Sequence, residues 1–290
     1  MASRYSVRSI SMPPRSHPSA LTVEESLSKL KALWDSSSTL KGEKVCIGLA
    51  GVVELYSSVE DLMHLPITQQ TLMDLHECKK WVDDVLEGSV RLLDVCGTTR
   101  DILLQMKGHV QDLQSALRRK GGEVAEDMEV DAYICFRKKM KTDLGKCIKE
   151  LKLMSDSKVT LLPRQSDQHK ISRVLKESRE ITITTLQSLI SIMSVPIKAK
   201  PSRWLLVSKL MHNRQLTGER EEDLGLACVD NALYTLGKQD EKKNEMENVV
   251  KARKGLEALE AAIEGVLVWL DCIFRQLIQN RVALLNIFTQ

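Results

Sequence analysis

Residues 89–119, SVRLLDVCGTTRDILLQMKGHVQDLQSALRR, indicate the class of fold more clearly than any other stretch. Apolar residues recur here at alternating spacings of four and three, which is the heptad pattern of one buried helical face. We call such a row a seam. Its members are Leu92, Cys96, Leu103, Met106, Val110, Leu113 and Leu117, with Thr99 in the remaining position. The spacing predicts one long helix over 89–119 that stops at Gly121 and Gly122.

Cys96 raises the question of whether this segment is an active site or part of a core. A cysteine nucleophile needs a base and an activating field, yet the nearest histidine is His109, 13 residues further along the same predicted helix. A strand-to-helix elbow would also interrupt the helical period, and no interruption is present. We therefore interpret Cys96 as a core residue, and we expect the C-terminal helix to pack against Gly97.

Further helices are predicted wherever apolar residues recur at helical spacing. The first is expected to begin at Thr22, which would form a capping box with Glu25. A long C-terminal seam runs from Val249 to Leu284, with Asn280 in an otherwise apolar position. The remaining predicted helices cover residues 44–64, a segment after Thr68, a segment after GGEVAED, 167–194, 202–212 and a segment from Leu226, and the C-terminal one covers 242–287.

The composition supports a helical fold. Of the 290 residues only 4% are aromatic, and the 14 glycines and 7 prolines are too few for the many turns of a sandwich or barrel. We predict an all-α protein: an elongated bundle of six to eight long, mostly antiparallel helices with heptad-like, coiled-coil-type seams. The central helix and the C-terminal helix are expected to be the main partners in its core.

The N-terminal segment differs from the rest of the chain. Residues 1–20, MASRYSVRSISMPPRSHPSA, are rich in serine, arginine and proline and contain no acidic residue. This composition predicts a disordered basic tail, with residues 21–290 forming a single helical bundle domain. An organelle transit peptide, which has a similar composition, is the alternative. Ser11 lies three residues after Arg8 and is a candidate phosphorylation site.

Charge and cysteine content argue against several classes of function. The 42 basic and 39 acidic residues nearly balance, so nucleic acid, which is bound through phosphate neutralisation, is not an expected partner. The seven cysteines form no C-x-x-C pair and no secretory signal is visible, which indicates reduced thiols in the cytosol or nucleus. We expect a cytoplasmic location. No stretch of roughly 20 predominantly apolar residues predicts a transmembrane segment.

No motif for catalysis, phosphate binding or metal binding occurs in the chain. We therefore expect no enzyme activity, no cofactor and no metal site. The best candidate site is a basic helix face that would contact anionic lipid headgroups, an acidic partner or an acidic helix of the same chain, although an ordinary solvated surface is the simpler interpretation. Its residues are Arg137, Lys138, Lys139, Lys141, Lys146 and Lys149.

Several longer motifs are more distinctive than the periodicity. They are RSISMPPRSHPS, VEESLSKL, LPITQQTL, EGSVRLLDVCGTTRDILLQMKGHVQDLQSALRR and LEALEAAIEGVLVWLDCIFRQLIQNRVALLNIF. Together they resemble the plant BYPASS-related family of domain-of-unknown-function proteins, over essentially the whole chain. The resemblance implies a mostly helical plant protein with no established enzyme activity. It also implies links to root and shoot development, to a mobile growth-arresting signal and, through distant relatives, to the vesicle-tethering exocyst.

These observations lead to two hypotheses about function. The first is a non-enzymatic helical interaction or adaptor protein in plant root and shoot development, acting at endomembranes or in vesicle trafficking. Its expected partners are other proteins, with peripheral membrane contact through the basic face. The second is a protein that binds or modifies a small-molecule metabolite and so acts on a mobile growth signal, because helical bundles hold apolar pockets between their helices.

Overall fold

The computed structural model describes residues 17–36, 41–76, 78–119, 123–156, 166–194, 225–236 and 245–289. These ranges hold eight α-helices and no strand, which confirms the predicted all-α bundle. In chain order the helices are α1 (Pro18–Asp35), α2 (Lys41–Met63), α3 (Pro66–His76), α4 (Lys79–Arg118), α5 (Glu123–Asp156), α6 (Ser166–Met193), α7 (Leu226–Leu236) and α8 (Glu245–Phe288).

The two longest described helices, α4 and α8, form the centre of the bundle. They contact each other more extensively than any other described pair. Arg281 of α8 donates to Ser89 at 2.7 Å, whereas Glu264 of α8 accepts from Lys107 at 2.8 Å. Residue numbers therefore rise along one helix while they fall along the other, so the packing is antiparallel. The prediction that these two helices are the main partners is confirmed.

Burial follows the predicted seams of both helices. On α4 the seam residues from Leu92 to Leu113 are buried, including Thr99, and Leu117 is half-buried. On α8 every seam position from Ala252 to Leu284 is buried, including Asn280. A second apolar row on α8 is buried less uniformly, since Leu267 is buried, Phe274 and Leu285 are half-buried and Ile278 is exposed. The seams thus carry the core, as heptad spacing predicts.

The other helices pack around this pair. Helix α2 packs against α8, α6 and α1, and α5 packs against α4. Helix α6 runs antiparallel to α5, since Arg179 bonds to Met154 whereas Arg137 bonds to Met193. The short α7 packs against α8. Because α2, α4, α6 and α8 all converge near residue 280 of α8, a site can be assembled there from side chains of four helices.

Two helix boundaries differ from the prediction. Helix α1 begins at Pro18, with His17 as its cap, and Thr22 lies inside the helix, where its hydroxyl donates to the Pro18 carbonyl at 3.1 Å. Proline suits the first turn of a helix because its missing N–H would be unbonded there anyway. The last three residues of the expected tail, residues 18–20, are therefore helical.

The second difference is the break between α3 and α4. The sequence predicted a helix following Thr68 with an apolar stripe from Leu72 to Val85, and a central helix starting at Ser89. The structure instead ends α3 at His76 and begins α4 at Lys79, with Cys78 in a non-helical conformation. Spacings of three and four continue across this break, so periodicity could not detect it. Ser11, residues 1–16 of the expected tail and the expected helix at 202–212 lie outside the described residues.

Helix α1 approaches α2 at two glycines. A Cβ atom on Gly48 would lie 2.6 Å from Cζ2 of Trp34, and one on Gly51 would lie 2.6 Å from Cδ2 of Leu30. Both distances are shorter than a carbon–carbon contact allows. The absence of side chains at these positions lets the two helices pack closely.

Replacing Gly48 by alanine is expected to lower the free energy of unfolding by about 1–3 kcal/mol, because the Trp34 ring must move to admit the methyl group. Urea denaturation measures this change. Gly145→Ala is the matched control, since nothing lies within 4 Å of its added Cβ. In a helix interior that substitution is expected to stabilise by roughly 0.5–1 kcal/mol. Equal effects of the two variants would contradict the close approach.

Candidate functional site

Cys96 occupies the core between α4 and α8. Its side chain is fully buried, and its Sγ lies 3.7 Å from the carbonyl oxygen of Leu270. Burial raises the pKa of the Cys96 thiol to about 12. A thiol that stays protonated near neutral pH is a poor nucleophile. The interpretation of Cys96 as a core residue is confirmed.

Gly97 faces the helix that was expected there. A Cβ on Gly97 would lie 3.6 Å from Cε2 of Phe274 on α8, an ordinary van der Waals contact. The C-terminal helix is therefore the neighbour, although it does not approach as closely as α1 approaches α2. The segment 91–101 is thus a packing surface.

The basic face predicted on α5 is present, with one exception. Five of its six residues are exposed, and we call them the lysine surface: Lys138, Lys139, Lys141, Lys146 and Lys149. Lys146 donates to Asp143 at 2.8 Å, and this hydrogen bond holds the pKa of the Asp143 carboxyl below its usual value. The other four make no salt bridge within the described ranges. Their charges are open to an external anion.

Arg137 is the exception, and its assignment to the exposed face is wrong. Its side chain is buried, with 3% of the residue exposed. Nη2 of Arg137 donates to Oδ2 of Asp230 at 3.0 Å, and Nη1 donates to the Met193 carbonyl at 3.2 Å. A buried charge requires such partners because its desolvation is costly. Arg137 thus joins α5 to α6 and α7 and is not available to a lipid.

Tyr133 completes this buried cluster. Its hydroxyl donates to Oδ1 of Asp230 at 2.8 Å, so both carboxylate oxygens of Asp230 accept hydrogen bonds. Burial raises the pKa of Tyr133, which keeps its phenol protonated as a donor. A signal for the cluster was present in the sequence: Arg137 lies four residues after Tyr133 and three before Met140, which is a seam spacing.

A cleft between α2, α4, α6 and α8 is a second candidate site. Its volume is about 60 Å³, and it is partly open to solvent. The Trp81 indole in its wall is held by a hydrogen bond from Nε1 to the Ser172 hydroxyl at 3.0 Å. The apolar part of the lining is formed by Trp81, Val85, Leu92, Leu175, Leu277 and Leu284.

Cationic side chains dominate the polar part of this cleft. Lys176, Arg179 and Arg281 line it, against the single carboxylate of Asp84. Burial, and to a lesser degree the nearby Arg91, lowers the pKa of Arg179. An arginine nevertheless stays charged at any physiological pH, so positive charge is concentrated at this point.

Contacts with α4 position the side chains of Arg179 and Arg281. Gly88 leaves room for the guanidinium group of Arg179, since a Cβ there would lie 3.0 Å from its Nη1. Arg281 donates through Nη1 to the Leu86 carbonyl and to the Ser89 hydroxyl. The sequence did not predict the cleft, because its residues come from helices far apart in the chain. The polar Asn280 in the α8 seam was the one visible signal.

Neither a membrane span nor a cluster of metal-ligating side chains occurs among the described residues. No helix there is long and apolar enough to cross a membrane. Nor do three or more His, Cys, Asp or Glu side chains come together as metal ligands in that part of the chain.

Comparison with known proteins identifies the family. A family model described as Protein BPS1 matches residues 48–287. The chain belongs to this family. The match runs from Gly48, where α2 meets Trp34, to the last turn of α8, and so spans both candidate sites of this BPS1 family member. It confirms the resemblance to BYPASS-related proteins. No curated protein and no solved structure matched the chain.

Proposed function

We propose that this protein is a non-enzymatic adaptor that binds the anionic surface of membranes through the lysine surface of α5. The observation that carries the proposal is the exposure of five lysines between residues 138 and 149 of one helix. Each basic residue near an anionic bilayer contributes about 1 kcal/mol of attraction. The four lysines that make no salt bridge within the described ranges provide enough energy for reversible association, whereas Lys146 shares its charge with Asp143.

The composition of this surface favours a lipid over an acidic protein. Protein interfaces are enriched in arginine and aromatic residues and depleted in lysine, because a planar guanidinium makes directional hydrogen bonds. The lysine surface contains no arginine once Arg137 is assigned to the core. Mobile lysine charges suit a bilayer, whose lipid headgroups have no fixed arrangement.

An exposed apolar residue supports the same choice. Leu153 lies four residues after Lys149 on the same side of α5, and 59% of it is exposed. Lysines beside an exposed leucine form the kind of helix face that lies in the headgroup region, with the apolar side chain at the acyl boundary. The rest of the bundle then remains free to bind proteins. Membership of the BPS1 family supports placing this role in root and shoot development, at endomembranes or in vesicle trafficking.

Liposome sedimentation tests the membrane proposal. The protein is expected to bind vesicles of phosphatidylcholine with 30% phosphatidylserine and not vesicles of phosphatidylcholine alone. Replacing Lys138, Lys141 and Lys149 by glutamine removes three charges, which is expected to weaken binding about 100-fold at about 1 kcal/mol each. Raising the salt concentration is expected to weaken binding as well.

The matched control replaces three exposed lysines elsewhere, Lys79, Lys80 and Lys254, by glutamine. This control carries the same net charge as the variant with Lys138, Lys141 and Lys149 replaced, which we call the α5 variant. The control is expected to bind vesicles at least 10-fold more tightly than the α5 variant does. Equal weakening of both variants, or no charge-dependent binding of the unmodified protein, would remove the lipid proposal. A third outcome would point to an acidic protein as the partner. In that outcome the unmodified protein binds no vesicles, and proximity labelling recovers specific protein partners with the unmodified protein but not with the α5 variant.

The cleft between α4, α6 and α8 favours a second candidate function, the binding of a small molecule. Cationic groups and an apolar wall meet there in one concave site, which is the usual composition of a ligand pocket. This candidate does not depend on the lysine surface, because α5 does not line the cleft.

A further inference from the structure

We infer that the cleft binds a small organic carboxylate that carries an apolar body and a hydrogen-bond donor. The inference follows from three features of the lining: spare cationic donors, one buried acceptor of fixed orientation, and an apolar wall. It rests on the second candidate function, ligand binding in this cleft, and is independent of membrane binding by the lysine surface.

The anionic group of the ligand is specified by Arg281. A guanidinium has five N–H donors, and the hydrogen bonds of Arg281 to Leu86 and Ser89 both use Nη1. Its Nε and Nη2 donate to no other described residue, while the two existing bonds hold the side chain in place. A planar, oriented guanidinium pairs well with a carboxylate. Lys176, whose Nζ lies 3.8 Å from the exposed Glu180, adds charge to the same cleft.

The hydrogen-bond donor of the ligand is specified by Asn280. This side chain is 95% buried, since only 5% of the residue is exposed. Its Nδ2 donates to the carbonyls of Tyr56 at 3.0 Å and Gln276 at 2.9 Å. Two carbonyl partners require the amide nitrogen on that side, which fixes Oδ1 as the remaining acceptor. Oδ1 receives no hydrogen bond from the described residues. A hydroxyl or amide N–H of a ligand would satisfy it.

The apolar wall and the size of the cleft limit the ligand body. About 60 Å³ is well below the size of a typical drug-binding pocket. The cleft would therefore enclose the carboxylate, the donor and a short hydrocarbon group against Trp81 and Leu277, and a longer part would extend into solvent. These requirements together describe a short hydroxy acid or its amide analogue.

Isothermal titration with three matched compounds tests the inference. The probe is 2-hydroxy-4-methylpentanoate, compared with 4-methylpentanoate, which lacks the hydroxyl, and with 4-methylpentane-1,2-diol, which lacks the carboxylate. The hydroxy acid is expected to bind about 5-fold more tightly than the deoxy acid, which is the ratio for one neutral hydrogen bond. It is expected to bind at least 10-fold more tightly than the diol, which is the ratio for one charge-assisted hydrogen bond.

Variants of the full chain locate the binding. Arg281→Gln is expected to weaken binding of the hydroxy acid by 10-fold or more, and Lys176→Gln to weaken it by a smaller factor without loss of folding. Asn280→Leu is expected to abolish the preference for the hydroxyl compound. Lys254→Gln, at the far end of α8, is the control and is expected to bind unchanged.

Three outcomes would overturn the inference. The first is the absence of heat and of a thermal shift with all three compounds at millimolar concentration on folded protein. The second is equal binding of the hydroxy acid and the diol, and the third is binding that Arg281→Gln and Lys176→Gln both leave unchanged. None of these outcomes bears on the lysine surface, which vesicle binding tests separately.

Discussion

Asp230→Ala is expected to lower the free energy of unfolding by about 3–5 kcal/mol, the largest effect of any single substitution considered. Asp230 accepts hydrogen bonds from Arg137 and Tyr133, and all three side chains are buried. Removing the carboxylate leaves the Arg137 charge in the core without this counter-ion. The free-energy cost of that buried charge exceeds the contribution of the ion pair itself to stability. Urea denaturation followed by circular dichroism measures the loss.

The reason for this loss can be tested by removing the whole cluster. The triple variant Tyr133→Phe, Arg137→Met, Asp230→Leu contains no buried charge and is expected to recover most of the lost stability. Lys138→Met, next to Arg137 but exposed, is expected to change stability by no more than about 0.5 kcal/mol. If Asp230→Ala were as mild as Lys138→Met, the pair would not be buried in solution.

Leu270→Ala is expected to lower the free energy of unfolding by about 2–5 kcal/mol. Leu270 is fully buried in the α8 seam, and its carbonyl faces Cys96 of α4. Truncation removes apolar contacts and leaves a cavity between the two longest described helices, which can collapse only in part. Thermal and chemical unfolding both report the change.

Val268→Ala is the control for this prediction. Val268 lies on the same helix two residues earlier, but 60% of it is exposed. Its truncation is expected to change stability by no more than about 0.5 kcal/mol. Similar losses from Leu270→Ala and Val268→Ala would mean that the seam does not hold α4 against α8.

Some features of the candidate sites could be predicted from the sequence and others could not. The exposed lysines of α5 follow from helical periodicity, which assigns each residue to a face. Arg137 was assigned to the wrong face because a charged residue is normally placed in solvent. Its burial depends on Asp230, which is 93 residues away in the chain. No local pattern contains that pairing.

The break between α3 and α4 could not be predicted from a local pattern either. The apolar spacing of residues 72–85 fits one continuous helix, yet the chain turns at Cys78. The turn allows Leu72 and Leu75 of α3 and Trp81 of α4 all to be buried in the common core. Burial of these side chains is a property of the assembled bundle, and it outweighs the local preference for an unbroken helix.

Helical periodicity alone was enough to predict the all-α class, the pairing of the central and C-terminal helices, and the place of Cys96 in the core. Heptad spacing is a property of one segment, and a long apolar row must be buried against another of similar length. The burial of Arg137 became visible only in the packed bundle, and so did the cleft that Arg281, Asn280 and Trp81 share. Those facts depend on distances between side chains of different helices, which arise only when the helices have packed together.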